Sequence, residues 1–183
     1  MSTYAVAPDT IVEFWWNAGP EKWFSKDETF DETISNRFLD IYEQAASGRL
    51  DAWTEEPVGA LALVILLDQF PRNMFRGTPR AYETDERAKE IGLMALERGD
   101  HETVSEEINQ FFAIPLMHSE KLEDQDACIA WMKRVGTDEN VEYAQHHRDI
   151  IARFGRFPHR NAILGRESTE EEMQYLEEGG FTG

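Results

Sequence analysis

The residues best suited to chemistry are crowded into one stretch, His146 to Arg166, which holds five arginines, one aspartate and three of the five histidines. The stretch carries +4; since the whole chain carries -18 at pH 7, the remainder carries -22. Arginine presents a planar fork of donors matched to carboxylate or phosphate. Imidazole exchanges a proton near neutral pH. A helix end, a glycine turn at Gly155 and then Phe157-Pro158-His159-Arg160-Asn161 would bring several donors to one point. The stretch therefore points to a cleft for a small anion, with Arg153, Arg156, Arg160 and Asn161 as binding residues and His147 or His159 as the proton-transfer group. A rival reading is an internal salt-bridge seam, because residues 167–178 contain six glutamates.

Two further segments could complete such a site. Asp68-Gln69-Phe70-Pro71-Arg72-Asn73-Met74-Phe75-Arg76 sets polar groups abruptly at the end of an apolar helix. Buried polar groups need partners, so Asp68 is expected to orient an Arg or His, with Arg72, Asn73 and Arg76 as ligand-binding candidates. The bland alternative is a helix terminus in which Asp68 pairs with Arg72. Pro115-Leu116-Met117-His118-Ser119-Glu120 could place His118 and Glu120 at a cleft mouth. Asp149 is a second candidate for orienting a histidine.

These residues must be positioned by helices. Helical stripes and breakers place a helix from an Asp9 cap to Trp16. Another carries Phe30, Ile34, Phe38, Ile41 and Ala45. A third starts at Thr54, carries the apolar run Val58 to Leu67, and is kinked or broken at Pro71, which leaves the Leu67 carbonyl without a partner. Further helices run from Thr84 to Arg98, from Ser105 to a disturbance at Pro115, from Ser119 to Gly136, and from Thr137 or Asp138 to Gly155. Pro158 to Leu164 is a turn, and Ser168 with Glu171 resembles a capping box for a last helix ending near Gly179. On the helix before Gly155, His147 shares a face with Ile150, Ile151 and Phe154, whereas His146 lies about 100° round the cylinder. No alternating apolar and polar runs joined by hairpin turns occur. The expectation is an all-α domain over 1–183, of about eight helices, as an orthogonal bundle or stacked helix pairs, without sheet. No repeat of tetratricopeptide period is evident.

Composition narrows the function classes. The charge repels nucleic acid and anionic lipid. A single cysteine, Cys128, allows no internal disulfide and fits a cytoplasmic setting. The first ten residues show no basic-then-apolar leader pattern, and the ten-residue apolar run falls short of the roughly 20 residues of a membrane span. No phosphate loop, HExxH, paired CxxC or G-x-S-x-G motif occurs, so no cofactor and no metal are expected. A metal held by His118, Glu120, His147, His159 and Asp68 would be opposed by the surrounding arginines. Oligomeric state is left open.

Trp15 with Gly19-Pro20 and Trp23-Phe24, then Leu67 to Asn73, Pro115 to Glu120 and His147 to Arg166 followed by Glu167-Ser168-Thr169 together resemble an uncharacterised bacterial family, domain of unknown function 924. The resemblance spans nearly the whole chain. It implies a tetratricopeptide-like fold of stacked helix pairs, no assigned activity, and three signature segments that meet at one site. Two readings follow: a site for a small anionic molecule with histidine acid–base chemistry, or a tetratricopeptide-like groove for an acidic peptide, with the Arg/His stretch structural.

Overall fold

The computed structural model describes residues 6–183; part of the N-terminal stretch read above for a leader, residues 1–5, lies outside them. The described residues contain helices and turns and no strand. No helix among them is long and apolar enough to cross a membrane. The α-helices are α1 (Pro8–Ala18), α2 (Pro20–Trp23), α3 (Glu28–Ala46), α4 (Pro57–Val64), α5 (Phe70–Met74), α6 (Asp85–Arg98), α7 (Ile114–Met117), α8 (Leu122–Val135), α9 (Asp138–Phe154) and α10 (Glu170–Glu177).

At the centre stands one rod formed by α4, a π-helical turn at Ile65–Gln69, and α5. Its residues from Gly59 to Pro71 are all buried, as an all-apolar helix requires. Helices α1, α3 and α6 pack around it, and the α8–α9 hairpin packs on the far side of α7. Trp15, Phe38, Phe70 and Phe111 are buried in the shared core. A second, smaller cluster is separate from it: Ile150, Ile151 and Phe157, with Phe154, Tyr175 and Phe181 packed against them.

The proline expected to kink or break the rod does not end it: helical backbone continues from Ile65 through Met74. Pro71 has no N–H, and its ring would strike the carbonyl four residues back in a regular helix. The π turn relieves this: the Phe70 N–H donates to the Ile65 carbonyl, five residues back. The Leu67 carbonyl, orphaned as expected, accepts the Thr84 hydroxyl at 2.5 Å. Thr84 thus stands at the start of α6, as expected, but its side chain bridges to the rod instead of capping.

Several expected helix starts shift. Asp9 lies inside α1, whose cap position is Ala7. Thr54 lies in a 3-10 turn and donates to the Asp51 carbonyl; α4 begins at Pro57 because proline suits the first helical turn. Ser105 opens turns and a 3-10 turn at Asn109–Phe112, and Pro115 lies in the first turn of the short α7. Ser119 precedes the Lys121 cap position and bonds Asp124 at 2.5 Å. The last capping box is Thr169 with Glu172, one residue beyond Ser168 and Glu171. Thr137 caps α9 with Asn140, and Gly155 ends it at φ 70°, as expected.

α6 crosses the Phe112 carbonyl so closely that a Cβ on Gly92 would stand 2.3 Å from the oxygen. Alanine favours an isolated helix by about 1 kcal/mol over glycine. Here Gly92→Ala is expected instead to destabilise by about 1–3 kcal/mol, through overpacking against backbone. Urea unfolding measures this; an unchanged or raised midpoint would show that α6 does not approach Phe112 in this way.

Candidate functional site

The site begins with a carboxylate that has no exposure to water. Asp68 sits in the π turn with 0% of its surface exposed. It accepts a hydrogen bond from His118 Nδ1 at 2.7 Å and another from Gln69 Nε2. Arg72, one turn later, donates to the Asp68 carbonyl at 2.6 Å and lies 3.3 Å from its carboxylate. Burial alone would raise the Asp68 pKa, but the Arg72 charge and the contact with His118 outweigh it and hold the carboxyl below its ordinary value. An ionised carboxylate only accepts, so His118 Nδ1 carries the proton. The opposite nitrogen, Nε2, then presents a lone pair. It makes no hydrogen bond among the described residues, and the His118 side chain keeps 17% of its surface exposed. Burial first, then the Arg72 charge, lowers the His118 pKa despite Asp68, so the ring is a neutral base at pH 7.

The loop that carries His118 is clamped from beneath. Gln125 of α8, wholly buried, donates through Nε2 to the Met117 and Ser119 carbonyls, each at 2.7 Å. On the other side Arg160 Nη1 donates to the His118 carbonyl at 3.0 Å. Arg160 is 7% exposed, its Nε has no partner, and the nearest carboxylate oxygen is Asp85 Oδ2 at 3.9 Å. Its guanidinium lies 4.7 Å from the Tyr82 ring centre and 4.5 Å from that of Phe157. Cation–π contact stabilises it in part. Burial and the Arg72 charge pull its pKa down. By contrast Arg72 is fully engaged, since Asp85 takes both of its terminal nitrogens at 2.8 and 2.9 Å.

Two more imidazoles border this cluster. His147, 4% exposed, donates from Nδ1 to the Tyr143 carbonyl at 2.8 Å. Burial holds its pKa down to about 3. Burial and then the Arg160 charge bring His159 to about 4, and its Nδ1 is buried without a partner. His147 points inward beside Ile150 and Ile151, as its spacing indicated.

Of the expected site residues, the structure therefore brings Asp68, Arg72, His118, His147, His159 and Arg160 together. It reassigns one role: Asp68 orients His118, not His147 or His159. It turns the others elsewhere. Asn73 and Arg76 bond Asp31 of α3, at 2.7 Å and at 2.8 and 3.0 Å, and staple α5 to α3. Arg153 pairs with Glu171 at an exposed edge. Arg156 grips Glu172 with two bonds, at 2.7 and 2.8 Å, and Asn161 lies against the same carboxylate at 3.2 Å. Glu120 is held by Arg166 at 2.7 and 2.9 Å and by the Phe157 N–H. Asp149 accepts from Gln145 in solvent. The seam with residues 167–178 thus exists, and it occupies the outer arginines. The residues missed were Tyr82, Asp85 and Gln125. Only Gln125 was signalled in sequence, as a polar residue in helical register with Cys128, Met132 and Val135.

Among the described residues no three His, Cys, Asp or Glu side chains are arranged to hold one metal ion. An open cleft formed by Tyr42, Arg80, Glu83 and Arg87 includes none of Asp68, Arg72, His118 or Arg160.

Fold and site define an all-helical protein built on a buried rod that presents an aspartate–histidine pair beside two arginines. The bacterial family of proteins of unknown function DUF924 matches residues 11–180, and the chain belongs to it. It is similar to the protein of unknown function ATU0120 from Agrobacterium tumefaciens. That solved structure shares 48% sequence identity and a TM-score of 0.90, over 94% of this chain and 97% of that one. No curated protein matches the chain.

The buried imidazoles make stability pH-dependent. Unfolded histidines take up protons near 6.5, whereas folded His147 and His159 stay neutral until about 3 and 4. Their contribution is therefore complete above 6.5 and lost as pH falls through that window. Between neutral pH and about pH 5, His147→Leu is expected to lose about 2 kcal/mol less stability than the parent. Urea titrations at a series of pH values test this, and identical slopes would mean that His147 is protonated in the folded chain.

Proposed function

We propose that the protein binds a small phosphate- or carboxylate-bearing molecule against Arg160, and that His118, oriented by Asp68, acts on it as a general base. The observation that carries this reading is the Asp68–His118 pair beside a buried guanidinium that lacks a carboxylate partner within hydrogen-bond distance. A buried charge left unpaired costs free energy that a bound anion would recover. The Asp68 carboxylate fixes the His118 tautomer, so that Nε2 can take a proton from a ligand hydroxyl or from water, and stabilises the imidazolium that results. No serine, threonine or cysteine hydroxyl or thiol bonds His118 among the described residues, so the base serves the ligand or water instead of a protein nucleophile. His147 and His159, held neutral, line the site without competing for the anion.

An acidic peptide in a tetratricopeptide-like groove is the rival reading. It asks for arginines displayed along an open surface. Arg160 at 7% exposure favours a small, enclosed ligand, and the arginines nearer the surface, Arg153 and Arg156, already hold glutamates.

Thermal unfolding with a panel of inorganic phosphate, phosphomonoesters and short carboxylates tests the proposal. At a hundred times its dissociation constant a ligand stabilises by about 2.7 kcal/mol. Arg160→Ala is expected to abolish that gain, Arg153→Ala to leave it, and His118→Gln to keep binding while removing any turnover. No stabilisation by any anion, or equal stabilisation of the Arg160→Ala variant, would overturn the assignment.

A further inference from the structure

The imidazole end of the site is covered by residues of this same chain. After α10 the backbone turns at Gly179, φ 86°, and Gly180 lies so close to Tyr175 that a Cβ there would meet its ring at 2.5 Å. The chain then lies back over α9 and the Pro158–Arg160 turn. The Phe181 ring sits 4.6 Å from that of His147, 5.1 Å from His159, 5.8 Å from His146 and 6.4 Å from Phe157. Gly183 rests on His159: a Cβ at that position would be 3.1 Å from Nε2. Phe157, whose ring carries Arg160 on it, thus touches the covering segment as well.

The attachment of this segment is slight. Of residues 179–183, Gly-Gly-Phe-Thr-Gly, only Phe181 has an apolar side chain to bury. Its N–H donates to the Tyr175 hydroxyl at 3.0 Å, and the Gly180 N–H to the Tyr175 carbonyl at 2.9 Å. Phe181 belongs to the small cluster, not to the main core. Helix α10 itself is anchored far more firmly. Its Glu172, 2% exposed, takes Arg156 with two bonds and also accepts from Asn161 and from the Thr169 N–H. The boundary between firm and slight attachment falls at the two glycines. A segment with few buried contacts opens locally at far less cost than the whole protein unfolds.

We propose that residues 179–183 form a strap, hinged at Gly179–Gly180 and latched by Phe181, that closes the histidine end of the site and swings away to admit ligand. This rests on the reading of the site given above, though the strap itself can be tested without any ligand. His101 is buried away from the strap against Trp131 and serves as the control.

The experiment is carbethoxylation of histidines at neutral pH in the full chain, followed residue by residue by mass spectrometry, for the parent, Phe181→Ala and Phe181→Leu. Phe181→Ala is expected to accelerate modification of His147 and His159 by about ten-fold or more, with His101 unchanged. Phe181→Leu, which keeps an apolar latch, is expected to stay near the parent. Faster modification of His101 as well would signify general unfolding and count against a local strap. In that case Gly180→Val, which forces the turn off Tyr175 and leaves Phe181 intact, decides: it must expose His147 and His159 without exposing His101, and failure to do so overturns the proposal. Unchanged His159 reactivity in Phe181→Ala overturns it directly. Inorganic phosphate, titrated on the same variants, separates the two readings. Selective exposure of His159 with no binding of phosphate or of any other anion of the panel in any variant sustains the strap and removes the anion site. Phosphate binding with no change in His159 reactivity does the reverse.

Discussion

An ionised carboxylate at 0% exposure is the constraint around which the polar interior is arranged. Asp68 cannot remain charged in an apolar core unless cations and donors surround it. Arg72 supplies the charge, Gln69 and His118 supply hydrogen bonds, and each imposes demands of its own. Arg72 requires Asp85, which fixes the start of α6 against the rod. His118 requires a loop held at fixed height, which Gln125 and Arg160 provide through its neighbouring carbonyls and its own. Removing one partner would leave an uncompensated charge, so the network is costly to dismantle piecemeal.

The π turn makes this placement compatible with a continuous rod. A proline in a regular helix would cost about 3 kcal/mol or more. Here the chain passes through a π turn just before Pro71, and Thr84 supplies the donor that the Leu67 carbonyl lacks. The same turn carries Asp68 and Gln69. Such turns are rare and cluster at functional sites, which agrees with the chemistry gathered at this one.

The Arg/His stretch divides by depth. Its outer arginines, Arg153, Arg156 and Arg166, hold Glu171, Glu172 and Glu120 and fasten α10 and the turn after α9. Only Arg160 is left without such a partner, because the Pro158–Arg160 turn aims it inward between Tyr82 and Phe157, where no carboxylate comes within hydrogen-bond distance. The site reading and the seam reading of the same stretch therefore apply to different residues. Depth also explains the histidines: those screened from water are driven neutral, and the one beside Asp68 is fixed in tautomer.

Helix content, the buried rod, the inward face of His147 and the glycine stops at Gly99, Gly136 and Gly155 were legible in sequence. Each follows from local physics: periodicity of apolar residues, proline's missing donor, and glycine's freedom at positive φ for Gly99 and Gly155. The hydroxyl caps were less legible. Thr54, Thr84 and Ser119 each found another partner nearby, and a Ser or Thr hydroxyl donates to whichever acceptor folding presents. Composition also made the arginine stretch visible, and the polar break at Asp68 marked a buried group in need of a partner. The choice of that partner was tertiary. Fifty residues separate Asp68 from His118, and 46 separate Glu120 from Arg166. An arginine's pairing depends on which carboxylate lies within about 4 Å once the helices have packed, a distance that spacing along the chain does not encode.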